Sequence, residues 1–481
     1  MKKSGILLPI SSLPSRAGIG EFGESALDWL DILEENNIKI WQILPLNPLG
    51  YGNSPYQPYS SFAGDEIYIS LEELKKEGLL DIDILEYEGS KTKVDYVNAR
   101  EYKNKYLERA FLIYKSKGFS KGLFSEEEFS EFKKQKWLND YKDFCLNKYK
   151  DLVFPRYLDK KESSKELFEE YIVFLQYIFY KQWFRVKEYA NNKNVLIMGD
   201  VPFYVGLDSA DVFSEPENFL LDKNLMPTFI AGVPPDYFSK TGQRWGNPIY
   251  NWDYIKKNDY KFWTDRIGYN AKLFDIVRVD HFRAFDTYWK VPVSCPTAIE
   301  GEWIEAPGYE TIEKILSVIK DKELVAEDLG ELRKEVRILK DYFGLKGMKI
   351  FEFGFDFSRK YAKEVNVPLD WEKIIYYTGT HDNATLKEWY YSLSKSSRRK
   401  LRKFLTRKGF SEGNISSRVI KYILKSKAEY AIISLPDILE CNKEGRINTP
   451  GTVGSPNWEW QLSSLGEVNQ KITKYKKYFN R

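Results

Sequence analysis

The chain has 481 residues, 43% hydrophobic and 30% charged. That balance suits a globular protein of about three ~150-residue domains, or one large barrel with insertions. Basic residues number 73 against 70 acidic, a net charge of +3, which argues against a polyanion-binding protein and leaves nucleic acid an unexpected partner.

The chain contains only two histidines and three cysteines, Cys145, Cys295 and Cys441. With neither CxxC nor HExxH among them, a Cys/His zinc centre is not expected, and no metal or other cofactor is called for. An odd number of widely spaced cysteines points to a reducing compartment and a cytoplasmic protein. Aromatic residues are abundant: 13 Trp, 34 Tyr and 30 Phe make up 16% of the chain. Such rings either fill a generous core or stack on the apolar C–H faces of sugars.

Along the chain, the basic start at Lys2 and Lys3 precedes an apolar stretch that Pro9 cuts short, and no small-residue cleavage site follows. This is not the pattern of a secretory signal. Eight short apolar runs read as buried strands: 5–10, 40–46, 195–201, 274–279, 323–326, 348–353, 374–378 and 430–435. Most are continuous rather than alternating, as expected for parallel strands covered on both faces. Helical periodicity appears between them at 22–36, 309–320, 332–343 and 397–406. Eight strands alternating with helices predict a single (β/α)8 TIM barrel over 1–481, of α/β class.

The spacing is uneven. Roughly 150 residues separate the second and third runs, too many for one crossover. A Tyr/Ser/Pro-rich loop at 50–64 and Lys/Glu-rich helical sequence at 71–187 predict a helical subdomain inserted over about 66–190. Within it the apolar stretch 171–180 is bounded by Glu170 and Lys181 and is too short to span a bilayer. A second excursion at 204–272, dense in Pro, Gly and aromatics, predicts long loops over the C-terminal face. No internal repeat is visible.

The C-terminal strand ends of such a barrel face the active site. The third run ends in Asp200. The fourth ends in Arg278, Asp280, His281 and Arg283, the fifth in Glu327 and Asp328, and the seventh in His381 and Asp382. Both histidines therefore lie beside an aspartate at a strand end. Several carboxylates without a metal-binding set suit glycoside chemistry: one as nucleophile, a second as acid/base about 5–5.5 Å away, a third to steady the oxocarbenium-like state. The acid needs a pKa raised by burial and a like charge, and an arginine beside the nucleophile keeps that group ionised. Aldolases and sugar isomerases also carry carboxylates on barrel strands, so spacing alone leaves the reaction open.

A set of motifs narrows it. They are ILLPISSLPS at 6–15, WQILPLNPLGYGNSPYQPYSSFAGD at 41–65, GDVPFYVGLDSADVF at 199–213 and AGVPPDYFSKTGQRWGNPIYNW at 231–252. VRVDHFR at 277–283, AEDLG at 326–330, GMKIFEF at 347–353, YTGTHDN at 377–383 and RINTPGT at 446–452 follow. Together, and in this order, they resemble the amylomaltase family of disproportionating 4-α-glucanotransferases. The resemblance implies Asp280 as nucleophile, Glu327 as general acid/base and Asp382 as transition-state stabiliser. It implies Arg278, His281 and His381 around the cleaved sugar, with Tyr56 and Asp200 lining the same groove. It also implies a lid loop contributing Asp236, Trp245 and Asn247, and α-1,4-glucans and maltooligosaccharides as donor and acceptor.

Three positions depart from the family pattern: Ala284 where glycine is usual, Ala384 where an acidic residue is common, and Gln461 where arginine is common. None of these is a proposed catalytic carboxylate. An α-amylase-type hydrolase, a glucan-binding protein on an inactive barrel, and a metal-dependent isomerase are the competing readings.

Overall fold

The computed structural model describes residues 2–120, 122–151, 154, 156, 165–235, 239–330 and 332–480. Eight parallel strands form one sheet in which neighbours in the chain are neighbours in space. They are β1 (Lys3–Leu7), β2 (Ile40–Gln42), β3 (Leu196–Val201), β4 (Ile276–Val279), β5 (Glu323–Ala326), β6 (Gly347–Ile350), β7 (Ile374–Tyr377) and β8 (Tyr430–Ser434). Regular ladders run from β6 through β7, β8, β1, β2, β3 and β4 to β5. The sheet closes into a barrel between β5 and β6 through one parallel bridge, Val325 to Lys346. The sequence places all eight strands. β1 begins two residues earlier than expected and stops before Pro9, where a 3-10 turn at Ile10–Ser12 takes over.

Helices cover the outside, among them Glu24–Glu35, Lys261–Leu273, Gly308–Ile319, Lys334–Tyr342 and Ile415–Leu424. In the first, Ala26, Trp29, Leu30 and Leu33 are buried at i, i+3, i+4 and i+7, a single apolar stripe facing the strands. The link from β6 to β7 departs from the ideal alternation. It carries a two-residue hairpin (Phe355–Asp356 with Lys363–Glu364) and a 3-10 turn, Trp371–Lys373, in place of a helix.

Between β2 and β3 stand the helices Leu71–Lys76, Tyr96–Lys117, Glu126–Phe132, Lys136–Lys148 and Lys165–Asn192. Much of the aromatic excess packs here: Tyr114 lies 4.4 Å from Phe119 and 5.3 Å from Phe174, and Phe129 lies 5.0 Å from Tyr177, centroid to centroid. The final helix continues to the barrel, where the buried Trp183 donates to the Leu273 carbonyl at 3.2 Å. Among the described residues no helix is long and apolar enough to cross a membrane.

Arg100, on the helix Tyr96–Lys117, clamps both oxygens of the fully buried Asp65 at 2.8 and 2.5 Å. Asp65 in turn accepts from the Leu49 amide at 2.8 Å. This pair fastens the inserted helices to the loop after β2. Where the sequence suggests only loops at 204–272, the chain forms two strands, Phe229–Val233 and Gln243–Pro248. They join Thr287–Pro292 and Glu302–Glu305 in a four-stranded antiparallel sheet. Gln243–Pro248 alternates partly buried with exposed positions and holds Gly246, and Glu302–Glu305 is largely exposed, so neither carries the continuous apolar run that marks the barrel strands.

Gly199 in β3 has no room for a side chain: a Cβ there would sit 2.2 Å from ring carbons of the buried Phe274. Gly199→Ala should lower the unfolding free energy by roughly 1–3 kcal/mol in denaturant titration. A variant as stable as the parent would show that the β3–Phe274 packing is looser than described.

Candidate active site

The parallel register sets the site. In the β3–β4 ladder Asp200 pairs with Arg278, and in the β4–β5 ladder Val279 pairs with Ala326. The ladder continues one residue further through Asp280 N to Val201 O at 3.0 Å and Glu327 N to Val279 O at 3.1 Å. Asp280 and Glu327 therefore emerge side by side on adjacent strands, whose spacing is about 4.8 Å.

Arg278 is buried and bridges two carboxylates. One nitrogen, Nη1, donates to Asp200 Oδ2, and Nη2 donates to Asp280 Oδ1 at 3.1 Å. Tyr56 donates to the same Asp200 oxygen at 2.7 Å. Its ring stacks on His381 at a centroid distance of 4.8 Å, with the hydroxyl 3.3 Å from His381 Nδ1. Burial and the surrounding carboxylates push the Asp280 carboxyl up, and the Arg278 contact opposes them. Its side chain is 29% exposed to the cleft. Of the two carboxyls, Asp280 is the one in direct contact with the guanidinium.

Among the described residues Glu327 forms no ion pair. Its oxygens accept from the amides of His281 at 2.9 Å and Leu329 at 3.1 Å. Burial, with the neighbouring Asp328 carboxylate, pushes the Glu327 carboxyl up, and Arg278 and the two amides oppose this. His281 adopts a left-handed backbone at φ 51°, uncommon outside glycine and a common mark of functional sites. Burial and the Arg283 charge push its imidazole down to about 3, so it is neutral across the physiological range. His281 Nε2 is buried without a hydrogen-bond partner among the described residues.

Asp382 stands across the cleft. Its Oδ1 accepts from Asn448 Nδ2 at 2.6 Å and lies 3.4 Å from His381 Nε2. Burial lowers the His381 imidazole, against the pull of Asp382. Trp245 meets His281 edge to face at 4.8 Å. Asn247 is buried with its amide engaged at both ends: Nδ2 on the Val205 carbonyl at 2.7 Å, and Oδ1 on Gln57 Nε2 at 3.2 Å. It braces the segment that presents Trp245. Gln57 completes that brace, donating to the Trp245 carbonyl at 2.9 Å.

The geometry thus brings Tyr56, Trp245, Asn247, Arg278, Asp280, His281, Glu327, His381 and Asp382 to one cleft, whereas Asp200, expected to line the same groove, is fully buried behind Arg278 and Tyr56. Asp236 lies outside the described residues. Sequence reading does not single out Gln57 or Asn448 as site residues. Both sit inside segments it marks, SPYQ and RINTPGT, and their side-chain targets are distant in sequence.

The cleft encloses about 1810 Å³, well beyond the roughly 300–1,000 Å³ of a pocket for one small ligand. A (β/α)8 barrel whose strand ends bring Asp280, Glu327 and Asp382 to the mouth of such a groove has the layout of a barrel enzyme with room for more than one small ligand. Comparison with known proteins agrees. Residues 8–467 match the family model described as 4-alpha-glucanotransferase. The chain is 38% identical to the 4-alpha-glucanotransferase of Aquifex aeolicus over 477 residues, covering 96% of each. It is 39% identical to that of Clostridium butyricum over 498 residues, covering 98% of this chain and 99% of the relative. The amylomaltase of Streptococcus agalactiae, solved in complex with acarbose, superposes over 100% of both chains with a TM-score of 0.88 at 34% identity. The chain belongs to the 4-alpha-glucanotransferase family.

Removing Arg278 strands two carboxylates in a buried site. Arg278→Met should cost about 3–5 kcal/mol of unfolding free energy at neutral pH. Arg278 holds the Asp280 carboxyl down, so without it the ionised form becomes costly above its own pKa and that cost fades as pH falls. The deficit should therefore narrow in acid when unfolding is followed across a pH series. An equal deficit in neutral and acidic buffer would contradict the bridging arrangement.

Proposed function

We propose that the enzyme is a retaining 4-α-glucanotransferase working by double displacement through Asp280. The observation that carries the reading is the register of β4 and β5, which sets Asp280 and Glu327 one strand apart. The carboxyl pair of a retaining enzyme is about 5–5.5 Å apart, whereas an inverting enzyme leaves a wider gap for water. Glu327 donates its proton to the glycosidic oxygen as an Asp280 oxygen attacks the anomeric carbon. The bond to the leaving glucan breaks, and that glucan departs carrying the proton. The 4-hydroxyl of an acceptor glucan or glucose then gives its proton to Glu327 and attacks the same carbon, releasing Asp280 as carboxylate. Two inversions restore the α-configuration.

Asp382 steadies the positive charge that develops on the ring, held in place by Asn448. Arg278, with Asp200 and Tyr56 behind it, keeps Asp280 ionised and aimed. His281 and His381 contact the ring hydroxyls, the vacant Nε2 of His281 being one available partner. The 204–272 excursion forms a lid in which Asp236 and Trp245 contact glucan, and Asn247 braces the strand that carries Trp245. The helices over 66–190 support it as a subdomain of the single barrel. Transfer prevails over hydrolysis when the acceptor is held and water is kept out of the closed groove. The acarbose complex of the Streptococcus agalactiae relative supports an α-1,4-linked oligosaccharide as occupant. The free thiols of Cys145, Cys295 and Cys441 suit a cytoplasmic setting.

Incubated with maltotriose alone, the enzyme should yield glucose together with maltooligosaccharides longer than the donor, unchanged by EDTA, and Glu327→Gln should yield neither. Only glucose and maltose would make it a hydrolase. The pH dependence should be bell-shaped: activity falls in acid as Asp280 takes up a proton, and in alkali as Glu327 loses one. A profile flat through neutral pH into alkali would rule out Glu327 as the acid.

A further inference from the structure

The barrel's weakest seam lies beside its acid/base. Every neighbouring pair of barrel strands shares a ladder except β5 and β6, which meet at the single Val325–Lys346 bridge. Side chains stitch that seam at both ends. At the N-terminal end, Lys346 reaches Glu323 at 2.8 Å and Glu429 at 3.3 Å. At the C-terminal end, Asp328 accepts from the Met348 amide of β6 at 2.6 Å through Oδ1, and from Lys340 at 3.0 Å through Oδ2.

The upper stitch is built into the packing. Asp328 and Lys340 side chains are only 10% and 9% exposed. Gly347, the first residue of β6, supplies the room they occupy: a Cβ there would lie 2.3 Å from Asp328 Oδ2 and 2.7 Å from Lys340 Nζ. Asp328 directly follows Glu327 in the chain. The backbone that aims Glu327 is thus pinned on one side by the β4 ladder and on the other by the Asp328 carboxylate.

We propose that Asp328 is a positioning residue for the transfer reaction, closing the β5–β6 seam so that Glu327 is held in register with Asp280. The inference rests on the assignment of Glu327 as acid/base. Asp328 has a second effect through its charge, for a carboxylate adjacent to Glu327 favours its protonated form. Further charged or titratable groups near Glu327 include Arg278, Asp280, His281 and Arg283 from the end of β4 and, through Asp328, Lys340. Arg278 opposes Asp328, whereas Asp280 is a like charge.

Three variants separate these effects. Asp328→Asn keeps the shape and removes the charge. Its kcat on maltotriose should fall roughly 10- to 100-fold, as small displacements of a catalytic group do. The alkaline limb of its kcat/KM profile should move to lower pH by roughly half a unit to one unit. Gly347→Ala keeps the charge and displaces the carboxylate, so kcat should fall while KM changes little. Glu323→Gln loosens the distant end of the same seam. It should lower thermal stability while leaving kcat and the alkaline limb as in the parent.

The proposal is overturned if Asp328→Asn, shown folded by circular dichroism, retains parental kcat and pH profile. It is equally overturned if Glu323→Gln moves both as much as Asp328→Asn does, since the effect would then be stability alone. Glu327→Gln run alongside isolates the underlying assignment. If that variant stays active, the acid/base reading itself has failed, whatever Asp328 does.

Discussion

The guanidinium of Arg278 is the interaction on which the catalytic cleft depends. It is buried between Asp200, its register partner on β3, and Asp280, two residues along β4. A lone carboxylate in that position would take up a proton rather than stay charged, because desolvation penalises the ionised form. One cation shared between two carboxylates opposes that desolvation at the barrel mouth. Tyr56 and His381 extend the same network across the cleft, so the loop after β2 and the end of β7 are oriented by the group that orients Asp280.

The contrast between Asp280 and Glu327 follows from this asymmetry. Both are half-buried, and desolvation pushes both toward the protonated form. Among the described residues, Asp280 touches a cation and Glu327 does not. Glu327 sits among backbone amides and beside Asp328, an environment suited to a group that must carry a proton into the reaction. On the proposed mechanism, these different environments suit the two neighbouring carboxyls to different tasks. Closing the barrel at β5–β6 by side chains rather than by a full ladder places the stitch at Asp328, where a small shift would reach Glu327 directly.

The barrel strands are legible in the sequence because each is a short continuous apolar run, and the carboxylates because they sit where those runs end. Position along the chain marks Asp200, Asp280, Glu327, Asp328 and Asp382 alike, and only the family motifs single out three of them. The antiparallel sheet that presents Trp245 escapes such reading. Its strands, such as 243–248 with its exposed Arg244 and the glycine at 246, are half-buried and interrupted, so tertiary context decides them. Asn448 and Gln57 escape for another reason. Their roles depend on partners 66 and 190 residues away, a relation that one sequence does not encode locally. The missing helix after β6 is likewise invisible, since hairpin and helix fillers of that link are both polar.

The central claim is that Asp280 becomes covalently attached to the sugar, and trapping tests it most directly. Glu327→Gln should still accept an activated α-glucosyl fluoride, whose leaving group needs no acid, and then stall for want of a base. Intact mass analysis should show one added glucosyl unit, and peptide mapping should place it on Asp280 within 277–283. An adduct on Asp382, or turnover of the fluoride with inversion and no adduct while the protein stays folded, would contradict the account.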